Sequence, residues 1–373
     1  MLRATFCPVS GFLGAGKTTT LLAVATELRR RGKRPAVITN DQGRDLVDTR
    51  TAASVLDAVS EVTDGCFCCR FDELAAAVTA FVDAGADTVL AEAVGSCTDL
   101  RATVVRPLRA HYGERLRVAP LTAVVDPSRY RLFARAWDVG ADSDISYLYA
   151  HQLAEADVIA VNKVDTTEPR LLESLLTDIA RRYPDATVLP YSARSGEVTA
   201  LVDTMTLGGD EPDRADGPLD YDRYAAAEAE LAWLNRVVTV SSPDSAGFPP
   251  ARWAVVALTA LAETCAAADV MVGHAKLTVE DAAGPAGNAP AKASVTGAGQ
   301  PPSLDLPGPP EIATGRAVIN LRVAWSPEQL DKACTEAAAA ADLACGTSSV
   351  AEPGQAAFRP SYPRPTHRLT RDF

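Results

Sequence analysis

The sequence predicts an α/β protein with two domains: a doubly wound, mostly parallel sheet, followed by a smaller α+β domain. Over the first 205 residues, apolar runs alternate with helical patterns, as in a parallel sheet covered by helices on both faces. A glycine-rich loop separates the first apolar run from the first helical pattern. A polar stretch rich in turn residues then interrupts the alternation. The predicted boundaries are 1–205 for the first domain, 206–220 for a linker, 221–345 for the second domain and 346–373 for a tail.

Each predicted strand is a short apolar run, and each predicted helix repeats apolar residues at helical spacing. In the first domain the strands are 4–9, 36–39, 88–91, 122–125, 158–161 and 187–190, and the helices are 17–31, 71–84, 99–112, 144–155 and 169–183. In the second domain the strands are 236–240, 275–279, 292–295 and 316–323, and the helices lie near 250–266 and 326–342. The stretch 280–313 is dense in Gly, Pro and Ala, which predicts a mobile loop. The tail is rich in Pro and Arg and is expected to be extended or disordered.

Composition argues against several functional classes. A content of 47% apolar and 23% charged residues in 373 is typical of globular domains with a buried core. The formal charge of −12, without a basic block, argues against nucleic-acid binding. The most apolar long run, 253–272, contains Glu263 and Asp269, which favours a core helix over a membrane span. The first strand pattern begins at residue 4, so no secretory signal is expected and the predicted compartment is the cytoplasm.

The glycine-rich loop fits the phosphate-binding pattern GxxxxGK[ST] at every fixed position, from Gly11 to Thr18. Lacking side chains, Gly11, Gly14 and Gly16 allow backbone N–H groups to surround phosphate oxygens at the start of a helix. Lys17 is expected to reach the β and γ phosphates as a catalytic cation, and the Thr18 hydroxyl to bind Mg²⁺. The alternative is a chance glycine turn, which the strand before it and the helix after it disfavour.

A second motif follows the apolar run 158–161. Asn162, Lys163 and Asp165 form the pattern NKxD at the carboxyl end of a predicted parallel strand, where open α/β sheets bind ligands. The Asp165 carboxylate can accept hydrogen bonds from guanine N1 and its amino group, which adenine cannot supply. The pattern alone is weak, because these residue types are common in turns. Ser192 and Ala193, after the next apolar run, strengthen it and favour GTP over ATP.

Two acidic residues at strand ends are candidates for magnesium and catalysis. Asp41, in Asn40-Asp41-Gln42-Gly43, is a direct or second-sphere Mg²⁺ ligand candidate, the alternative being an Asx turn. Glu92 ends the strand 88–91, in the position where phosphate-loop NTPases use an acid to hold Mg²⁺ or the attacking water. Gly95 follows three residues later and is expected to contact the γ-phosphate and move when it leaves.

Three of the eight cysteines lie within four positions: Cys66, Cys68 and Cys69. Thiolates at this spacing can converge on one ion, and soft sulfur selects Zn²⁺ or Cu⁺ over Mg²⁺. Three ligands with an open fourth position suit a metal that is passed on, and Cys97 is a candidate fourth ligand. The alternatives are packed thiols or a redox pair. Cys7, Cys265 and Cys334 lie in apolar patterns and are expected in the core.

With these motifs in order, the first 205 residues resemble the CobW-type GTPases, a metallochaperone family that also holds the urease and hydrogenase nickel-insertion GTPases. The matching motifs are GFLGAGKTT at 11–19, NDQG at 40–43, GCFCC at 65–69, ExxG at 92–95, NKVD at 162–165 and SA at 192–193. The resemblance implies that Gly14, Ala15, Gly16, Lys17, Thr18 and Thr19 bind phosphates and Mg²⁺. It further implies that Asn162, Lys163 and Asp165 read guanine and that Cys66, Cys68 and Cys69 bind the transferred metal. The sequence departs from the family at Ser96–Leu100 and has no His-rich tract.

The expected protein is a GTPase that hydrolyses GTP slowly and couples Mg·GTP binding to the loading and delivery of a metal. Zinc is the expected metal, with cobalt and nickel as alternatives, and the client metalloprotein is unknown. One alternative function is a regulatory or assembly GTPase with redox-active or structural cysteines. Another is a small-molecule phosphotransferase, which the NKVD motif disfavours. The oligomeric state stays open, with a homodimer among the alternatives.

Overall fold

The computed structural model describes residues 3–41, 47–53, 55–63, 65–206, 217–243, 246–284 and 289–371. Contacts divide the chain into two compact units. The first comprises Met1–Gln42, Ala58–Ala227 and Tyr362–Phe373, and the second comprises Gly43–Asp57 and Glu228–Ser361. This division differs from the predicted boundaries, because Gly43–Asp57 groups with the second unit and Tyr362–Phe373 groups with the first. Residues 207–216 of the predicted linker lie outside the described residues.

The first unit contains a parallel sheet with helices between its strands. The strands are β1 Ala4–Ser10, β2 Pro35–Asn40, β3 Val59–Val62, β4 Thr88–Glu92, β5 Leu116–Val118, β6 Thr122–Val125, β7 Val158–Val161 and β8 Thr187–Pro190. Its helices are α1 Lys17–Arg30, α3 Phe71–Asp83, α4 Arg106–Tyr112, α5 Pro127–Asp138, α6 Asp144–Ala154, α7 Pro169–Arg182, α8 Thr199–Thr206 and α9 Tyr221–Glu230. Helix α2, Val47–Ala53, groups with the second unit. A π-helical turn, Arg101–Val105, precedes α4.

The described strands follow the order β3-β2-β4-β1-β6-β7-β8, with β5 also paired to β1. Their pairs are parallel, which confirms the predicted doubly wound sheet. Strands β1, β2, β4, β6 and β7 are buried throughout, because helices cover the sheet. Since the carboxyl ends of parallel strands share one edge, the segments that follow these five strands meet there.

The second unit contains an antiparallel sheet and two long helices. Its strands are β9 Ala232–Ser241, β10 Val272–Asp281, β11 Ala291–Val295, β12 Ser303–Pro307, β13 Thr314–Val323 and β14 Ser348–Ala351, in the order β12-β11-β10-β13-β9-β14. Helices α10 Pro250–Ala267 and α11 Pro327–Cys345 supply the rest of its core, with Trp253 fully buried. This agrees with the predicted α+β domain. Helix α2 contacts this sheet, where the Lys276 ammonium pairs with the Asp48 carboxylate at 2.5 Å.

Two regions of the second unit are more ordered than their composition predicts. Strand β12 lies inside the predicted mobile loop 280–313 and pairs with β11, so ladder hydrogen bonds compensate for the high Gly and Pro content. Strand β14 begins the predicted tail and pairs with β9 from Ser348↔Ser241 onward. In the part of the chain that the structure describes, every helix is too short or too polar to span a bilayer.

Candidate functional site

The loop between β1 and α1 has the conformation that a phosphate cradle requires. Gly11, Gly14 and Gly16 have φ values of 132°, 77° and 93°, a region that other residues rarely adopt. A Cβ on Gly11 would lie 2.3 Å from the carbonyl oxygen of Val124, and a Cβ on Gly16 would lie 2.5 Å from an amide nitrogen of Asn162. Bare backbone is therefore needed here, and N–H groups at the N-terminus of α1 can face an anion.

Side chains of the loop complete this cradle. The Lys17 ammonium donates to the carbonyl oxygen of Gly11 at 2.8 Å, so it lies over the loop where phosphate oxygens would replace that contact. Ala15 is buried in the loop, and Thr19 is exposed in the first turn of α1. The Phe12 ring anchors the loop, because it packs edge-on against Phe133 and Tyr149 with centroid distances of 5.5 and 5.6 Å.

Thr18 and Glu92, two of the three predicted magnesium ligands, lie side by side. The Thr18 hydroxyl donates to a Glu92 carboxylate oxygen at 3.1 Å, and both residues are buried. A hydroxyl beside a carboxylate at the end of a phosphate loop is a donor set that fits Mg²⁺. Asp41 directly follows β2, and its backbone N–H donates to the Val62 carbonyl at 3.2 Å. Its role in magnesium binding stays a prediction, and Gln42 and Gly43 lie outside the described residues.

The NKVD segment lies directly against the phosphate loop. The Asn162 amide donates to the Ala15 carbonyl and accepts from the Ala193 N–H, both at 3.0 Å. Lys163 has a left-handed backbone, with φ of 61°, and its ammonium donates to the Gly14 carbonyl at 2.8 Å. Asp165 is exposed, so its carboxylate is accessible to a base. The structure therefore brings together the residues predicted to bind phosphate and those predicted to bind guanine.

Ser192 contributes through its loop, since its hydroxyl oxygen accepts from the Ser195 N–H at 3.2 Å. Asp126, which the sequence analysis did not single out, supports the same region. It caps α5 by accepting from the Ser128 N–H at 2.7 Å, and it pairs with the Lys163 ammonium at 2.5 Å. Burial alone would raise the pKa of Asp126, but the Lys163 charge and the backbone donors together hold it below its usual value.

Cysteine thiols from two separate loops of the first unit meet in one cluster. The Sγ atoms of Cys66 and Cys68 are 2.6 Å apart, and those of Cys68 and Cys97 are 3.9 Å apart. Within the described ranges, Cys66, Cys68 and Cys97 form a group of three buried metal-binding side chains whose ligand atoms all lie within 4.8 Å. Cys69 is half-buried, with its Sγ 3.5 Å from that of Cys66. The structure thus places Cys97, the candidate fourth ligand, with the three predicted ligands.

The pKa of the Cys68 thiol lies well above its usual value, because hydrogen bonds among the neighbouring thiols and burial disfavour the thiolate. The Cys68 thiol is therefore protonated when no metal is bound. A bound cation reverses this preference, so metal binding must release protons. Each of the eight cysteines lies in the described part of the chain, and none forms a disulfide.

Asn40, the last residue of β2, holds the first cysteine loop. Its side-chain amide donates to the carbonyl oxygens of Val62 at 2.9 Å and Gly65 at 2.8 Å, and accepts from the Phe67 N–H at 3.0 Å. With three hydrogen bonds and 6% exposure, this side chain fixes the loop that carries Cys66. The residue predicted to be functional in this motif is Asp41 instead. A polar residue ending a buried strand was the available signal.

The second cysteine-bearing segment joins the thiols to the phosphate loop. Gly95 packs so closely on Leu13 that an added Cβ would lie 2.9 Å from the Leu13 backbone nitrogen. Two residues later, Cys97 reaches the thiol cluster. Gln152, on α6, holds this segment by donating to the carbonyl oxygens of Gly95 and Cys97, both at 2.9 Å. Gln152 is not among the predicted site residues, although an amide in an apolar helix pattern is a usable signal.

The segment after Cys97 is anchored to the end of α6. The Thr98 hydroxyl and the Arg101 N–H donate to the Glu155 carboxylate at 3.0 and 3.1 Å. Burial raises the pKa of Glu155 to about 8. Arg101 also forms a buried ion pair with Asp157, at 2.7 Å.

Comparison with known proteins gives one family model, described as the CobW/HypB/UreG nucleotide-binding domain, which matches residues 6–190. The zinc chaperone CobW of Sinorhizobium sp is 27% identical over 235 residues, 56% of this chain and 64% of that protein. The zinc chaperone YjiA of Escherichia coli (strain K12) is 38% identical over 76 residues, 20% of this chain and 23% of that protein. The chain therefore spans less than two thirds of the length of either relative. The crystal structure of Zn(II)-bound YjiA GTPase from E. coli aligns over 90% of this chain and 99% of that chain, at 17% identity and a TM-score of 0.40.

Proposed function

Since residues 6–190 match the CobW/HypB/UreG nucleotide-binding domain, we propose that the chain is a GTP-dependent metallochaperone that delivers zinc to a client metalloprotein. The observation that carries this proposal is a short connection between two sites. Gly95 contacts Leu13 of the phosphate loop, and Cys97, two residues further on, joins the buried thiols. A change at the nucleotide can therefore reach the metal ligands through one segment.

The nucleotide half of the proposal rests on the loop contacts. Lys17 and the glycine backbone would hold the β and γ phosphates, and Asp165 would select guanine. Thr18 and Glu92 would hold Mg²⁺, with Asp41 as a further candidate, and the ion would supply positive charge to the phosphates. The fit is supported by a hydroxyl and a carboxylate that already lie 3.1 Å apart. We expect hydrolysis of GTP to GDP and phosphate to be slow in the isolated protein, until a partner completes the positioning of the attacking water.

The metal half rests on the thiols. Cys66, Cys68, Cys69 and Cys97 offer up to four soft ligands, which suit Zn²⁺ and exclude Mg²⁺. Cobalt and nickel are alternative cargoes. Free thiols need a reducing compartment, so the proposed location is the cytoplasm. Binding of GTP would hold Gly95 against the phosphates and keep Cys97 with the other thiols. Loss of the γ-phosphate would release Gly95 and weaken the site, which requires different metal affinities in the two states.

The test is a competitive Zn²⁺ titration of reduced protein, with Mg²⁺ and a non-hydrolysable GTP analogue and again with Mg·GDP. We expect one-to-one binding that weakens by at least about tenfold with GDP, equivalent to about 1.4 kcal/mol of coupling. Cys97→Ser should weaken zinc binding in the presence of the GTP analogue, and so reduce the difference in zinc affinity between the two nucleotide states. Cys334→Ser, at a buried cysteine of the second unit, is the matched control and should change neither value. Equal zinc affinity in both nucleotide states would refute the coupling.

A second candidate function is a GTPase whose cysteines respond to oxidation. The short distance between the Sγ atoms of Cys66 and Cys68 favours it, because neighbouring thiols can be oxidised as a pair. Metal content distinguishes the two functions. Protein purified without oxygen and with zinc present should carry zinc if it is a metal carrier, whereas a sensor would be metal-free with reactive thiols.

A further inference from the structure

A segment near the end of the described chain lies across the cysteine cluster. We define Arg364–Leu369 as the strap; it belongs to the first unit together with both cysteine loops. The Arg364 N–H donates to the Cys69 Sγ at 3.3 Å, and the Thr366 N–H donates to the Cys68 carbonyl at 3.0 Å. The strap is thus hydrogen-bonded to the thiol of one predicted metal ligand, Cys69, and to the backbone of another, Cys68.

The other end of the strap is bonded to the segment that follows Cys97. The Arg368 guanidinium donates to the Asp99 carboxylate at 2.7 Å, and the Leu369 N–H donates to the Ala102 carbonyl at 2.9 Å. In return, the Arg106 guanidinium donates to the Leu369 carbonyl at 2.9 Å. Asp99 is 9% exposed and has a left-handed backbone, with φ of 65°, so it is a fixed acceptor.

His367 and Arg368, further along the strap, pack against neighbouring side chains. The His367 ring packs on Phe71, the first residue of α3, with centroids 4.7 Å apart, and its Nε2 lies 3.3 Å from an Asp72 carboxylate oxygen. The Arg368 guanidinium also lies over the Tyr221 ring, at 5.6 Å. The strap therefore touches α3, the CxCC loop and the segment after Cys97 at the same time.

We propose that the strap is part of the metal site, with Arg368 as its positioning residue: it ties the two cysteine-bearing loops together and covers the cluster on the side of Cys69. This inference rests on the proposed function, since it assigns the strap a role in metal exchange. An N–H donor directed at Sγ stabilises the negative charge that a thiolate ligand carries when metal is bound. Because the Arg364 N–H is bonded to the half-buried Cys69 thiol, the strap would limit the rate at which a metal ion reaches or leaves this ligand.

The position of the anchors also links the strap to the nucleotide. Asp99 lies four residues after Gly95, which packs on the phosphate loop. Displacement of this segment would move Asp99 and break the contact with Arg368. One end of the strap would then come loose while the other stays on Cys68 and Cys69, and the metal would become accessible to a client.

The experiment compares full-length Arg368→Ala with Arg364→Ala, a matched loss of an arginine side chain that leaves the Arg364 N–H in place. Two rates are measured: maleimide labelling of Cys68 and Cys69 in metal-free protein, resolved by peptide mass spectrometry, and zinc transfer from loaded protein to a chromophoric chelator. We expect Arg368→Ala to raise both rates by at least about fivefold, the size of one lost charge-assisted hydrogen bond at a partly exposed site. Arg364→Ala should stay within about twofold of the unsubstituted protein.

Arg368→Lys should restore part of the slow labelling and slow zinc transfer. Affinity for GDP should not change in any of these variants, because the contact is already broken in the GDP state, and this separates positioning from general destabilisation. Thr366→Pro, which removes the N–H that bonds to Cys68, provides a second variant. Unchanged labelling rates in a folded Arg368→Ala protein would overturn the proposal. Because labelling needs no metal, it decides the role of the strap even if the protein binds no zinc, an outcome that would refute the proposed function separately.

Discussion

Asn40→Ala is the substitution that tests most directly how the cysteine loop is built. The side chain is 6% exposed and makes three hydrogen bonds of 2.8 to 3.0 Å to the loop and to β3. Alanine leaves two carbonyl groups and one N–H without this partner. At about 1 kcal/mol net for each bond, with a further cost for groups left unsatisfied, the ordered loop loses about 2–4 kcal/mol.

This loss should appear in metal affinity. If about 2 kcal/mol of it opposes zinc binding, zinc affinity falls about 30-fold. The assay is a competitive titration against a chromophoric chelator, with reduced protein and no nucleotide. The matched control is Asn162→Ala, which removes another buried asparagine with hydrogen bonds to backbone, to Ala15 and Ala193. Asn162→Ala should weaken binding of a fluorescent GDP analogue and leave zinc affinity unchanged.

Asn40→Ala is therefore expected to lose zinc affinity and Asn162→Ala to lose nucleotide affinity. Thermal unfolding of both proteins establishes that each is folded at the assay temperature. This role of the Asn40 amide is refuted if folded Asn40→Ala binds zinc as tightly as the unsubstituted protein. It is also refuted if this variant loses zinc and nucleotide affinity to the same extent, because the amide would then support the whole unit rather than the cysteine loop.

Three further predictions concern the nucleotide site and the buried carboxyl group of Glu155. Gly16→Ala should reduce nucleotide affinity by at least about 100-fold, measured by titration with a fluorescent GDP analogue, because its Cβ would lie 2.5 Å from an Asn162 nitrogen and φ is 93°. Thr18→Ala should remove most of the gain in GTP affinity that Mg²⁺ provides, seen by titrating with and without the ion; a full gain would exclude the hydroxyl beside Glu92 as a ligand. Burial raises the pKa of Glu155 from 4.5 to about 8, so its contribution to the free energy of unfolding is fully present below pH 4.5 and is lost as the pH rises to 8. Urea unfolding at pH 5 and pH 8.5 should therefore show a smaller loss for Glu155→Gln than for the unsubstituted protein, by at most a few kcal/mol, and equal losses would contradict the assigned pKa.

The parallel sheet could be predicted because most of its strands are buried on both faces and appear as short apolar runs. Strands β6, β7 and β8 have the predicted bounds, and β1 differs by one residue. Helix α5 was missed, although Asp126 caps it and proline occupies its first position. Its charged residues, such as Arg129 and Arg135, weaken the apolar pattern, and its buried face depends on contacts with other helices. Strand β3 has the sequence Val-Ser-Glu-Val, which contains no continuous apolar run, and β5 contains only three residues.

The candidate site also contains residues that the sequence predicts and residues that it does not. The phosphate-loop pattern and the NKxD pattern place residues at fixed positions in the chain, so the grouping of Lys17, Thr18, Asn162 and Lys163 around the glycine loop could be predicted from the sequence. Asn40 and Gln152 were not predicted as site residues: the sequence shows a polar residue in a buried pattern, but not that its partners are backbone atoms 22 to 57 residues away. A carbonyl group looks the same in every residue, so nothing in the sequence marks it as an acceptor.

The packing of Phe12 has an optical consequence. Its ring contacts Tyr149, and Tyr149 in turn stacks on Trp137, with centroids 6.0 Å apart and planes at 21°. The other three tryptophans, Trp233, Trp253 and Trp325, belong to the second unit. Trp137 is thus separated from the phosphate loop by a single aromatic ring. Its emission can report on the state of that loop without an attached dye, and Trp137→Phe would remove that signal while the three remaining indoles provide a constant background.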